Sequence, residues 1–290
     1  MVLLLFLLPH PTRAAITVCD DTGWEVTLEK PATRIIALYG AFNELLLAMG
    51  LDATIIARTK ADAAIPALRH LPEVGTHMRP NPELIVALAP HIVIQMEGRQ
   101  EADVISQTLR RMGIPVLMFK MGNFDEIFAV LQRLGVLTHE EERADQLTQQ
   151  WKKRLNTIAT ALLNTPRKRV IYEVRYPNLL AAGQDSIVND IILHAGGRNV
   201  ITTPGRVVRL NEEELIRHDP DAYLIQQGPM NPAPTPLESR KHYESLRALR
   251  EGTSLVVDEH AFARPGPRAI EAVEILAKWL HPTVDFTLPQ

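Results

Sequence analysis

A single cysteine, Cys19, stands in 290 residues, which excludes an internal disulfide framework and any zinc site built on two or more thiolates. Aromatic residues make up only 5 % of the chain, and no excess of one charge exists: 31 Lys and Arg face 34 Asp and Glu, for a formal net charge of −3. That balance gives no electrostatic reason to expect nucleic acid or an anionic membrane as partner. Phosphate-binding glycine loops are missing. Gly40 and Gly50 stand alone, without a dinucleotide fingerprint or a Walker-type lysine, so nucleotide binding is disfavoured. Neither a Gly-x-Ser-x-Gly elbow nor a His-Glu-x-x-His helix occurs, and the ten His residues are scattered, which leaves covalent or zinc-hydrolase chemistry without a visible carrier. No apolar run reaches the ~20 residues that span a bilayer.

What is present is an ordinary globular composition, 46 % hydrophobic, with enough length for about two domains at roughly 100–200 residues each. The start is distinctive. Val2 to Leu8 is a short apolar run, and small residues follow up to Ala14 and Ala15, the pattern of a secretory signal with its cleavage site. Residues 1–15 are therefore expected to be a signal peptide and the mature protein to be exported. Cys19 follows Ile-Thr-Val, which lacks the small residues expected before a lipid-modified cysteine, so it is expected to be a free thiol. Thr17–Cys19 and Glu25–Leu28 suggest a small hairpin near the mature start, with Trp24 in its turn.

The chain contains its own pattern twice. The segment from Asn81 through Glu83 and Pro90 to Ile94 lies over that from Asn211 through Glu213 and Pro220 to Leu224 without a gap. Each copy reads as a polar helix start, a short helix, a turn and a buried strand. Asn43 to Gly50 likewise lies over Asn189 to Gly196, and Gly113 to Met118 over Gly252 to Val257. Near-continuous apolar runs bounded by helices point to parallel sheets covered on both faces. The expected fold is α/β: two α/β lobes with parallel sheets, residues 16–138 and 166–290, joined by one long spine helix over 139–165, with a ligand cleft between lobes. The spine carries Ala144, Leu147, Trp151, Leu155, Ile158 and Leu162 at helical spacing, and at ~1.5 Å per residue it would run for roughly 35–40 Å.

In open α/β sheets ligands bind beyond the carboxyl ends of the strands. The residues expected there are Tyr39, His77, Arg79, Glu97 and Arg99 from the first half, and Arg175, Tyr176, Arg206, Gln227, His260, Phe262 and Arg264 from the second. Arginines dominate both sets, with Arg209 among their neighbours. Forked guanidinium bonds suit carboxylates, phosphates, catecholates or oxyanions, and Tyr and Phe supply flat apolar contact. An anionic, partly aromatic ligand is implied. His77 and His260 occupy equivalent-looking loops, yet two His without a nearby carboxylate make no metal site. Glu83 and Glu213 occupy matching places at helix starts, which puts them on the outer surface beside the cleft.

Taken together, Arg34-Ile-Ile-Ala-Leu, the Asn43 and Asn81 segments, Val74-Gly75, Ala195-Gly-Gly-Arg-Asn199, Asn211-Glu-Glu213, Asp219-Pro-Asp221 and Arg264-Pro-Gly-Pro-Arg268 resemble the periplasmic substrate-binding proteins of ABC importers for ferric siderophores, haem and vitamin B12. The resemblance spans residues 17–286. It implies a monomeric periplasmic protein without catalysis or intrinsic cofactor, which holds its ligand between lobes and docks on a membrane permease through Glu83 and Glu213, against arginines of the permease. A ferric siderophore or related metal chelate fits the arginine-rich set best. Cobalamin or another corrinoid, and haem with Tyr39 or Tyr176 as ligand, are alternatives of the same class. A cleft enzyme such as a metal chelatase, with His77 or His260 as base, is the rival from another class.

Overall fold

A computed structural model describes residues 15–287. The expected signal peptide lies outside the described residues except for Ala15. The first part of the chain forms β1 (Ile16–Cys19), β2 (Glu25–Leu28), β3 (Ile35–Ala37), α1 (Gly40–Ala48), β4 (Ile55–Ala57), α2 (Pro82–Ala87), β5 (Ile92–Met96), α3 (Gln100–Arg111), β6 (Val116–Phe119) and α4 (Phe124–Thr138). After α5 (Glu141–Ala161) come β7 (Lys168–Arg175), β8 (Leu180–Ala182), α6 (Ile187–His194), β9 (Gly197–Asn199), β10 (Val207–Arg209) and α7 (Glu212–His218). The chain ends with β11 (Ala222–Gln227), α8 (Arg247–Arg250), β12 (Ser254–Asp258), α9 (Glu259–Phe262) and α10 (Arg268–Leu280). Backbone packing groups these elements into two compact units that interleave in sequence. Among the described residues, the first takes 15–38, Ala53–Phe119 and Arg133–Glu141; the second takes Tyr39–Asp52, Lys120–Gln132 and 142–287.

The first unit is built on a four-stranded parallel sheet ordered β4-β3-β5-β6. Every residue of β5 and β6 is buried, as the apolar runs require for strands covered on both faces. Ile36, Leu38, Val74, Ile85, Val93, Leu109 and Val116 form one core cluster. The β1-β2 hairpin is antiparallel and is held by Asp20, whose side chain is fully buried. Its Oδ1 accepts from the N–H groups of Thr22 and Trp24 and from the Thr22 hydroxyl, while Oδ2 accepts from Arg110 and the Met118 N–H. One carboxylate thus closes the turn and docks it on β6 and α3.

The second unit's six-stranded sheet runs β10-β8-β7-β11-β12, with β9 also on β7. It departs from the all-parallel expectation. While β7, β9, β11 and β12 are parallel, β8 is antiparallel to β7 and β10 is antiparallel to β8. The cause is the link Tyr176–Leu179, which is long enough for a hairpin, whereas a parallel return needs roughly a dozen residues of crossover. The internal repeat has a structural origin in capping. Asn81 accepts from the Glu83 and Leu84 N–H groups ahead of α2, and Asn211 accepts from the Glu214 N–H ahead of α7, each satisfying helix donors that otherwise lack partners. α5 is the long amphipathic helix of the sequence. It starts at Glu141 because His139 lies at φ 60, and it buries Ala144, Trp151, Leu155 and Ile158. It packs within the second unit, where Arg154 forks onto Glu274 of α10 at 2.7 and 2.8 Å.

Candidate functional site

In the first unit the carboxyl end of β5 is organised by Gln95, which is 1 % exposed. Its Nε2 donates to the His77 carbonyl at 3.3 Å and its Oε1 accepts from the Met96 N–H at 2.8 Å. A buried amide needs both kinds of partner, and here it fastens the His77 loop to the strand end. That loop is a tight turn. The Arg79 N–H donates to the Thr76 carbonyl at 3.1 Å and to its hydroxyl at 3.0 Å, and the Thr76 N–H donates to the Arg79 carbonyl at 3.3 Å. His77 and Met78 form its tip. Glu97 follows β5 directly, and Arg99, the N-cap residue of α3, donates to the Met78 sulfur at 3.4 Å. His77 and Arg79, on this loop, and Glu97 and Arg99, just after β5, therefore belong to one strand end.

In the second unit, Arg175 and Tyr176 follow one another at the end of β7, and Gln227 is the exposed last residue of β11. The surface they belong to rests on a buried polar cluster. Glu173 and Arg240 have fully buried side chains and join through Nη1–Oε2 at 2.5 Å and Nη2–Oε1 at 2.9 Å. Tyr223 donates to Glu173 at 2.6 Å. The Arg240 guanidinium lies 4.2 Å from the Tyr176 ring centre, Tyr243 meets that ring edge-on at 6.1 Å, and the Tyr176 hydroxyl donates to Glu212 at 3.2 Å. Burial opposes the Arg240 charge, but the bonds and field of Glu173 more than offset it and raise its pKa. Burial and then Glu212 raise the pKa of Tyr176. Tyr176 is accordingly a neutral phenol donating to a carboxylate, an arrangement poorly suited to a phenolate metal ligand.

The other expected residues have the following surroundings. Phe262 is 2 % exposed and stacks on Tyr172 at 6.4 Å, so it packs the core of the unit instead of lining a surface. Arg264 is committed to Glu44 of α1 at 2.7 Å. Tyr39 precedes α1 and stands edge-on to Phe42 at 6.2 Å. His260 is half-buried in α9, which Asp258 caps through the Ala261 N–H at 2.8 Å. Arg206 precedes β10, at the opposite end of that strand from Arg209. Glu83 and Glu213 are exposed in the first turns of α2 and α7. His77 and His260 belong to different units, and among the described residues no three His, Cys, Asp or Glu side chains are grouped for a metal ion. Sequence reasoning missed Arg240. The available signal was Glu173 inside an apolar strand, because a buried carboxylate demands a partner.

The family model described as periplasmic binding protein matches residues 35–260. The chain belongs to this family. The ABC transporter substrate-binding lipoprotein YvrC of Bacillus subtilis (strain 168) is 27 % identical over 274 residues, covering 92 % of this chain and 86 % of its own. A vitamin B12-binding protein of Yersinia pestis (strain Pestoides F) is 23 % identical over 224 residues, covering 76 % and 78 %. Among solved structures, an ABC-type Fe3+-hydroxamate transport system protein from Saccharomonospora viridis superposes with a TM-score of 0.72 at 21 % identity, over 93 % of this chain and 99 % of its own. This binding protein is a transport component, not an enzyme, and family membership implies export. Among the described residues no helix is long and apolar enough to cross a membrane.

Proposed function

We propose that this binding protein captures a ferric siderophore or related metal chelate in the periplasm and delivers it, as a monomer, to an ABC importer permease. The observation that carries the reading is the pair of strand-end surfaces, one on each unit. Gln95 fastens the His77 carbonyl and Arg99 reaches Met78 of the same loop, which also carries Arg79, while Glu97 follows the strand; the Glu173–Arg240 cluster supports Tyr176, which Arg175 precedes. Cationic forks beside a flat phenol suit an anionic chelate with unsaturated arms. Tyr39, Gln227, His260 and Arg264 stand as further contacts of the same ligand, and Phe262 supports them from the core.

Exposed Glu83 and Glu213 on equivalently capped helices support docking on permease arginines through one acid per unit. Removal of residues 1–15 suits the position of Cys19. That cysteine ends β1 and pairs with Glu25, so processing directly before it would delete the other three residues of the strand. A corrinoid is the second reading, favoured by the vitamin B12-binding relative.

A thermal-shift panel tests the reading: ferric catecholate, hydroxamate and carboxylate siderophores, haem, cobalamin, cobinamide and molybdate. A ligand at one hundred times its Kd adds ~2.7 kcal/mol to stability, a shift of several degrees for a protein of this size. A chelate hit supports import. Silence from every metal chelate on ligand-free protein overturns it.

A further inference from the structure

Strand order places two arginines together that are far apart in sequence. Arg175 ends β7 and aligns with Leu180 of β8; Arg209 ends β10 and aligns with the same Leu180. Because β8 is antiparallel to both of its neighbours, β10 runs in the direction of β7, and the two arginines lie at the same end of the sheet. They flank Leu180 across two strand spacings, about 9–10 Å between backbones. A register irregularity between Glu173 and Arg175 marks a bulge at that end, the kind of feature that re-aims a side chain. Arg175 is half-buried and its Nε has no hydrogen-bond partner. Arg209 is exposed. Neither forms a salt bridge among the described residues. Glu173, two residues before Arg175, is committed to Arg240, and Glu212 accepts from the Tyr176 hydroxyl. Arg206 belongs at the other end, where its carbonyl accepts from the Gly183 N–H at 3.1 Å; three residues of strand, about 10 Å, separate it from Arg209.

We propose that Arg175 and Arg209 form a two-point clamp for the acidic arms of an anionic chelate, and that Arg209, not Arg206, is the specificity-determining arginine of the second unit. The proposal rests on the chelate-binding reading above and narrows it. A carboxylate- or catecholate-bearing complex has two or more anionic groups to present to the forks, whereas a neutral hydroxamate complex has none.

The test is a set of fluorescence titrations of the full chain with ferric dicitrate, a ferric tris-catecholate, ferrioxamine B and cyanocobalamin. Binding of an anionic complex is expected, tightest at low salt, with a loss of tenfold or more in Arg209→Met, partial recovery in Arg209→Lys, and less than threefold change in Arg206→Met. Arg209 is exposed, so its variants should keep the parent melting temperature; Arg175→Met, at a half-buried position, is read only if it melts like the parent. An anionic complex bound equally well by Arg209→Met overturns the clamp. Exclusive binding of ferrioxamine B or cyanocobalamin overturns it as well, while leaving chelate capture intact. Binding of none of the four contradicts both.

Discussion

Arg240 and Glu173 meet in the interior of the second unit with no side-chain exposure on either partner. The guanidinium also donates to the Thr235 carbonyl at 2.6 Å, so one cation fastens the long β11–β12 connection to β7 while lying against Tyr176. Removing only one member strands a buried charge. Glu173→Leu or Arg240→Met alone is expected to cost about 3–5 kcal/mol, read as a lowered midpoint in urea unfolding. The double variant Glu173→Leu with Arg240→Met should recover a substantial part of that loss, since no charge is then left uncompensated. If the double variant is as unstable as the sum of the singles, the pair does not act as a unit.

Gly75 carries a conformational demand that the ligand reading makes functional. It sits at φ 101, and a Cβ there would stand 2.7 Å from the Arg79 carbonyl oxygen. Alanine must therefore open the Thr76–Arg79 turn as well as adopt a strained backbone, at about 2 kcal/mol or more. Gly75→Ala should lower the melting temperature and weaken chelate binding in titration, because His77 and Arg79 ride on that turn. Gly23 is a useful contrast, with positive φ but open space around its Cβ position; Gly23→Ala should cost stability alone.

Legibility followed regularity. Asn81 and Asn211 were readable because a cap, a short helix and a buried strand recur at one spacing, and β5 and β6 because strands covered on both faces must be continuously apolar. β8, β9 and β10 are three residues each, too short to show a period, and their pairing is decided by tertiary contacts. With β10 out of view, the sequence does not tell which end of that strand Arg206 and Arg209 each occupy. Phe262 is buried because its four-residue helix packs it against Tyr172, a contact no local pattern encodes. Arg240 lies in an irregular connection where nothing periodic marks an interior position.

His281 follows α10 and is 4 % exposed, with Nε2 at 3.3 Å from the Gly196 carbonyl. Its pKa is lowered, first by burial and then by the Lys168 charge, against the opposing pull of the Gly196 and Ala195 carbonyls. The folded protein thus binds this proton less readily than the unfolded chain. Stability is complete above the unfolded value near ~6.5 and falls as pH drops from there toward the folded value. His281→Gln should flatten that slope, seen as a shrinking difference in melting temperature between pH 7 and pH 5. An unchanged slope would remove His281 as its source.

Glu212 and Glu213 are sequence neighbours with different expected duties, and the difference separates docking from ligand capture. Glu213 is exposed in the first turn of α7, whereas Glu212 accepts the Tyr176 hydroxyl at 3.2 Å. Glu83→Ala and Glu213→Ala should each weaken stimulation of permease ATPase activity, and together abolish it, with chelate Kd unchanged. Glu212→Ala should do the reverse, weakening chelate binding several-fold by freeing Tyr176 while leaving docking near the parent level. Exposed ion pairs are worth little singly and are screened by salt, so the docking loss should be largest for the double variant at low ionic strength and should shrink as ionic strength rises. Docking that survives the double variant would remove these two acids from the contact, and a shared phenotype for Glu212→Ala and Glu213→Ala would mean that α7 answers as a whole and not residue by residue.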